Sequence, residues 1–378
     1  MKHVIALGFL TAAAGPLAAS EELLTRHVHD VASEYLFPIP TLAELIDDFG
    51  YNDAQIELGR HLYFEQRVSK DEDISCATCH GLDTGGVDLL PTSIGHDGQV
   101  GGRNAPTVYN AVLNIEQFWD GRAPDLAEQA KGPVENPIEM ANTRDALIET
   151  LKGIPGYVSL FDQAFPDDAD PVTFDNFATA IAAFETTLLT PSRFDKFLQG
   201  DLNALSLGEK VGLDIFVDLG CVECHNGYNV GGGNYQRFGA VQEPGTTHRP
   251  PGDIGLAAVS GNPTDKFVFR VPSLRNIAET GPYFHTGSAE TLEEAIQVMA
   301  QVQLGTGLSS DDAELLVEFL HTLTGELPRI AIPDPLPKPD PAPDVPADPE
   351  ISRAMISALW SFGHPAGRGT LAGIVLGD

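Results

Sequence analysis

Apolar residues return at intervals of three and four along several stretches of the chain, the spacing that lays one stripe on a helix. TLAELIDDFG (41–50) and DAQIELGRHLYF (53–64) have it. TFDNFATAIAAFETTLL (173–189) places Phe174, Phe177, Ile181, Phe184 and Leu188 on one stripe. LSLGEKVGLDIFVDLG (205–220) predicts a helix that runs straight into a cysteine pair, and the spacing predicts another over 291–303. SSDDAELLVEFLHTLTG begins on Ser309 or Ser310 as N-cap, continues with acidic residues, and closes on Gly325 with Pro328 beyond. Alternating β patterns are scarce. Between the helices lie Gly/Pro-rich loops, notably 81–107 and 226–264, and loops that long are uncommon unless something binds them in place. The pattern predicts an all-α fold with long ordered loops, in an N-terminal half over 21–190 and a C-terminal half over 191–330.

The two ends read differently. MKHVIALGFLTAAAGPLAAS (1–20) opens on Lys2, runs apolar from Val4 to Leu10 and ends in small residues, which is the build of a cleaved secretory signal peptide. No later run reaches the roughly 18 apolar residues a membrane helix needs, so a soluble periplasmic protein is expected. From 331 to 350 eight of twenty residues are proline, the composition of an extended linker. The last piece, 351–378, carries one short helical stretch and no recognisable chemistry; within the tail 331–378 it either docks back or stays mobile.

With 22 basic against 54 acidic residues the net charge is −32, which excludes the cationic footprint that nucleic-acid binding needs. So acidic a surface either steers a basic partner or simply maintains solubility.

Four cysteines in an exported chain would ordinarily suggest two disulfides. Their spacing argues otherwise, because all four fall in two copies of C-x-x-C-H: CATCH at 76–80 and CVECH at 221–225. In that pattern the two sulfurs add to the vinyl groups of a haem and the adjacent histidine binds the iron. A zinc site has no need of a histidine directly after each second cysteine, and a thioredoxin-like motif would want a βαβ context that is missing. Cys76, Cys79 and His80 are therefore read as one covalent haem c site, and Cys221, Cys224 and His225 as another.

The sixth ligand decides what such an iron does: methionine raises the potential and suits electron transfer, whereas a histidine that can leave suits reaction with peroxide. Met1 leaves with the signal, Met355 lies beyond the linker and Met140 is in the first half. Met299 is then the natural partner of the second haem, with core packing as its ordinary alternative. For the first haem His96, in PTSIGHDGQVGGRNAPT, is either a ligand or a surface loop residue. His61, His321, His248 and His364 give weaker signals; His285, in GPYFHTG, is set among aromatic residues.

From about residue 45 to about residue 330 the chain resembles the bacterial dihaem cytochrome c peroxidases. The phrases that carry this are SCATCHGLDTGGVD, GHDGQVGGRNAPTVYNA, QFWDGRAPDLAEQAKGPVENPIEM, GCVECHNGYNVGG and FRVPSLRNIAETGPYFHTGSAETLEEAIQVM. The resemblance implies two cytochrome-c-like domains, a peroxidatic low-potential haem in the first and an electron-accepting high-potential haem in the second. It implies His96 as the displaceable sixth ligand of the first iron and Met299 as the axial ligand of the second. It puts Glu139 at the acid–base position, Gln129 at its hydrogen-bonding partner and Trp119 between the haems. On their own those three residues read as a solvated glutamate, a helix-surface glutamine and a core aromatic. The family also holds a calcium ion, here through the Asn104 side chain and the carbonyls of Thr280 and Pro282, oxygen ligands that suit a hard cation. It implies reduction of hydrogen peroxide with electrons from a small soluble c-type cytochrome or cupredoxin, a homodimer, and a loop over 81–107 that releases His96 on reduction. The rival reading is a dihaem electron-transfer cytochrome without peroxidase activity, which would not need Glu139 or Gln129. A related branch that matures a tryptophan-derived cofactor carries tyrosine where Met299 stands.

Overall fold

Local capping sets the helix starts. Thr41 accepts from the backbone of Glu44 and Glu44 returns a carboxylate to the Thr41 N–H, so α2 (Leu42–Phe49) begins there and stops at Gly50, whose φ of 71° only glycine adopts freely. Asn52 with Gln55 opens α3 (Asp53–Tyr63) in the same way, and Ser206 with Glu209 opens α10 (Leu207–Asp218). This computed structural model describes residues 16–338, with side chains from residue 19 on. Most of the expected signal segment and nearly all of the tail therefore lie outside the described residues. In chain order the remaining helices are α1 (Pro16–Tyr35), α4 (Cys76–Cys79), α5 (Leu126–Glu135), α6 (Arg144–Lys152), α7 (Pro155–Ala164), α8 (Phe174–Thr186), α9 (Arg193–Leu198), α11 (Gly245–His248), α12 (Ala257–Ser260), α13 (Leu292–Met299) and α14 (Ser310–His321). The chain is mostly helical, as expected. Two three-residue strands pair antiparallel, β1 (Tyr235–Arg237) and β2 (Val268–Arg270), with Tyr235 opposite Arg270.

Two large apolar cores form. In the first, α8 lays Phe177, Ile181 and Phe184 against Leu58 and Leu62 of α3, with α5, α6 and α7 completing the shell. In the second, α10 and α14 cross through Leu213, Phe216, Leu316 and Phe319. The crossings share a device. A Cβ on Gly59 would stand 1.8 Å from the Ala180 carbonyl oxygen, and one on Gly212 would stand 2.0 Å from that of Leu315. Glycine at each crossing lets two helix backbones approach closer than any side chain allows.

Most of α1 lies in the 21–190 stretch expected as the first domain, yet its Val28 and Ala32, with Leu36 beyond, pack in the second core. Arg275, fully buried, pairs with Asp195 of α9 at 2.7 Å, and Asp195 also accepts from the Ile39 and Ser192 N–H groups. One carboxylate thus ties α9, the α1–α2 connection and the 275 loop together. The start of the proline-rich segment docks on the first core: Arg67 donates to the Leu336 carbonyl at 2.8 Å, and Leu336 packs against Gly156.

Two expected boundaries move. The helix expected over 291–303 is α-helical to Met299 and then opens into a π turn over Ala300–Leu304. α14 does start after Ser309, but it ends at His321, and Gly325 forms an antiparallel bridge with Ser192. No helix among the described residues is long and apolar enough to cross a membrane.

Candidate functional site

The first cysteine motif is a single helical turn. Ser75 and Thr78 cap it, with the Ser75 N–H donating to Thr78 Oγ1 at 2.9 Å. The His80 N–H returns to the Cys76 carbonyl at 3.0 Å. Tyr63 donates to the His80 carbonyl at 2.6 Å, so the core of α3 and α8 holds the motif by its backbone. His80 Nδ1 lies 3.2 Å from the Gly86 carbonyl oxygen. That contact fixes the tautomer and leaves Nε2 with a free lone pair, the arrangement of a ligating histidine. Gly86 has φ 77°, and a Cβ there would meet Thr107 Oγ1 at 2.7 Å, so the loop can bring its carbonyl to the ring only as glycine.

The second motif is a short 3₁₀ turn, Cys221–Glu223, delivered by α10 as expected. Cys221, Cys224, His225 and Met299 line one largely apolar cavity of about 240 Å³. The His225 ring is buried beside the Val230 and Pro272 backbone. Burial holds both motif histidines neutral, pushing His225 down to about 4. All four thiols are unpaired, and burial pushes them up, Cys79 and Cys221 to about 11. Thiols in pairs, a neutral imidazole directly behind each pair and, at the second motif, an apolar cavity facing a thioether form a donor set that suits haem.

Beside the first motif the structure brings Glu139 and His96 together. The His96 N–H donates to the Glu139 carbonyl at 2.8 Å, and Gln99 Nε2 donates to the Pro137 carbonyl at 3.0 Å. Glu139 is half-buried and electrostatically coupled to Cys79. Burial pushes its carboxyl above the usual range, opposed by the Asn136 amide, which donates to Oε1 at 2.7 Å, and by the Arg122 charge. Asn136 is thus the hydrogen-bond partner of Glu139; Gln129 stands half-buried on α5 and makes no side-chain hydrogen bond to it. The sequence offered a hint in NPIE, where an asparagine three residues before the acid can cap the same turn.

His96 is buried, and both ring nitrogens already have partners. Nδ1 is 3.3 Å from Asp71, while Nε2 is 3.2 Å from Lys70 Nζ and 3.4 Å from Asp97. The ring faces these three side chains in this structure.

Trp119 lies between the two halves. Its indole N–H donates to the Asn104 carbonyl at 2.9 Å and its own carbonyl accepts from the Arg270 N–H at 2.9 Å. It lines the same cavity as Cys221 and Met299. His285, also on that cavity, stacks on Phe269 with ring centres 4.2 Å apart; its Nε2 makes no hydrogen bond and stands 3.8 Å from Asp253, and burial pushes the ring down to about 4. Asn104, Thr280 and Pro282 share the cavity wall too, and Asn104 donates Nδ2 to the Leu90 carbonyl at 2.9 Å.

Comparison with known proteins gives a consistent result. A family profile described as di-haem cytochrome c peroxidase matches residues 53–203. The cytochrome c551 peroxidase of Pseudomonas aeruginosa is 48% identical over 321 residues, covering 85% of this chain and 91% of the relative. The cytochrome c551 peroxidase of Nitrosomonas europaea is 44% identical over 330 residues, covering 87% and 92%. Among solved structures, a MauG-like protein associated with microbial copper homeostasis superposes with a TM-score of 0.69 at 27% identity, covering 79% of this chain and 96% of that one.

Proposed function

The chain belongs to the di-haem cytochrome c peroxidase family and is a peroxide-reducing oxidoreductase with two haems; we propose that it works in the periplasm, as a homodimer, with electrons from a small soluble c-type cytochrome or cupredoxin. In this reading each half is a cytochrome-c-like domain. Cys76 and Cys79 would bond one haem and His80 would ligate it; Cys221 and Cys224 would bond the other, with His225 and Met299 as its ligands. The bound haems supply the iron that receives peroxide and the store from which electrons are drawn.

The chain's own residues do the rest. Hydrogen peroxide becomes two waters by taking up two electrons and two protons, and the O–O bond breaks readily only if the departing oxygen leaves as water. Glu139 takes the proton from the inner oxygen and returns it to the outer one, acting first as base and then as acid. Its raised pKa favours that exchange, and Asn136 orients its carboxylate. Gln129 is assigned to the same pocket as a further hydrogen-bonding group. His96 would be the displaceable ligand of the first haem, and Asp71, Lys70 and Asp97 would hold its ring once it is released. Trp119, bonded to one half through Asn104 and to the other through Arg270, lies on the electron path. Asn104 Oδ1 with the carbonyls of Thr280 and Pro282 would hold the calcium ion, an all-oxygen set.

The observation that carries the reading is the half-buried carboxyl of Glu139 beside Cys79, tied by backbone to the His96 loop. The test is peroxide-dependent oxidation of reduced cytochrome c by the two-haem protein. The wild type should turn over and Glu139→Gln should not; equal rates would remove Glu139 from the mechanism. No peroxide turnover in either would leave the electron-carrier reading.

A further inference from the structure

Arg270, in β2, is 3% exposed and has no carboxylate partner among the described residues. Its Nε donates to the Phe118 carbonyl at 3.2 Å, and its Nη1 is buried with no acceptor at all. The acids on the neighbouring segments are already used. Asp120 accepts from Arg103 and Arg122 at 2.7 and 3.0 Å, Asp253 takes the Arg103 fork at 2.7 and 2.6 Å, and Glu116 accepts from the Tyr235 hydroxyl. A guanidinium buried without a counter-ion is costly, and fully buried charges are as a rule paired. Burial depresses this one to about 10.

The same side chain lines the cavity that holds Cys221, Cys224, His225 and Met299. The missing carboxylate must therefore arrive with whatever fills that cavity. A haem brings two propionates.

We propose that Arg270 is the counter-ion of a propionate of the second haem, and that this pair raises the reduction potential of that haem. The inference rests on the assignment of a haem to this cavity. Its physical basis is charge: a bare propionate near the iron stabilises the ferric state, and a guanidinium fork neutralises it and favours the ferrous state.

The test uses the two-haem protein, with Arg270→Gln and Arg270→Lys. Covalent haem is counted by pyridine haemochrome, and each haem's midpoint is read by spectroelectrochemical titration. With two haems retained, R270Q should shift the second haem's ferric-to-ferrous equilibrium at least tenfold toward ferric, a fall of about 59 mV for one electron. The first haem should not move, and R270K should recover most of the fall. An unchanged second midpoint in R270Q, or equal shifts of both haems, overturns the proposal. If R270Q fails to retain the second haem, R270K decides: retention supports a charge pair, and loss in R270K as well overturns it. A wild type with fewer than two haems would instead refute the haem assignment, a distinct result in the same count.

Discussion

Replacing Glu185 with glutamine should make stability far less dependent on pH. The carboxyl sits near the end of α8 and is 5% exposed. The groups that couple to it electrostatically are Tyr51, Tyr63 and the Cys76 thiol, none of them a cation. Burial alone pushes it from 4.5 to about 8. The folded state therefore favours the proton, while the unfolded chain releases it near the ordinary value. Stability from this group is intact below about pH 4.5 and is lost as pH rises toward 8, when even the folded state ionises. At about 1.36 kcal/mol per unit of pKa difference the full loss is about 5 kcal/mol, with about 3 kcal/mol gone by pH 7. Urea unfolding of wild type and E185Q, followed by circular dichroism from pH 4.5 to 8, isolates the effect because every other titration is common to both. The advantage of E185Q over wild type should grow by about 1.4 kcal/mol per pH unit across that range. Parallel curves would refute the reasoning and mean that the carboxyl is solvated or paired.

Glu139→Gln should lower peroxide turnover by about 10²–10⁴-fold with both haems retained, measured by stopped-flow oxidation of the donor. In the wild type, turnover should fall as pH drops through the raised pKa of Glu139, since the base must be ionised; Asn136→Ala, which removes an interaction that lowers that pKa, should move this limb upward in the pH–rate profile. Arg275→Met strands the buried Asp195 carboxylate and should cost about 3–5 kcal/mol in urea unfolding, with Asp195→Asn added on top recovering part of it. His96→Gly should give a resting enzyme that reacts with peroxide without prior reduction; continued need for a reductant would end the displaceable-ligand role.

Much of this molecule can be read where the deciding chemistry is local. α2, α3, α8, α10 and α14 announce themselves through stripe and cap, and the haem motifs are contiguous, so their meaning needs no tertiary structure. α5, α6 and α7 went unassigned although Thr143 caps α6 and Pro155 opens α7. α1 was hidden for a different reason: its first residues overlap the secretory reading, and its partner α10 is far away in sequence, so nothing nearby says which core it joins. The same limit applies to the site. Arg270 and Glu185 matter because burial leaves a charge or a carboxyl alone, and burial belongs to the fold. The only traces in the sequence are a lone arginine inside FVFRV and a lone glutamate after the apolar stripe of AIAAF. His96 shows the limit again: its residue type could be read, its company of Asp71, Lys70 and Asp97 could not.

The most direct test of the central claim is a redox titration of the purified protein, read by visible and EPR spectra against its covalent haem count. Two covalent haems are predicted, one low-spin with His/Met ligation and a high potential, the other a bis-histidine haem that turns high-spin after the first electron. Fewer than two covalent haems, or two that titrate and absorb alike, would contradict the account.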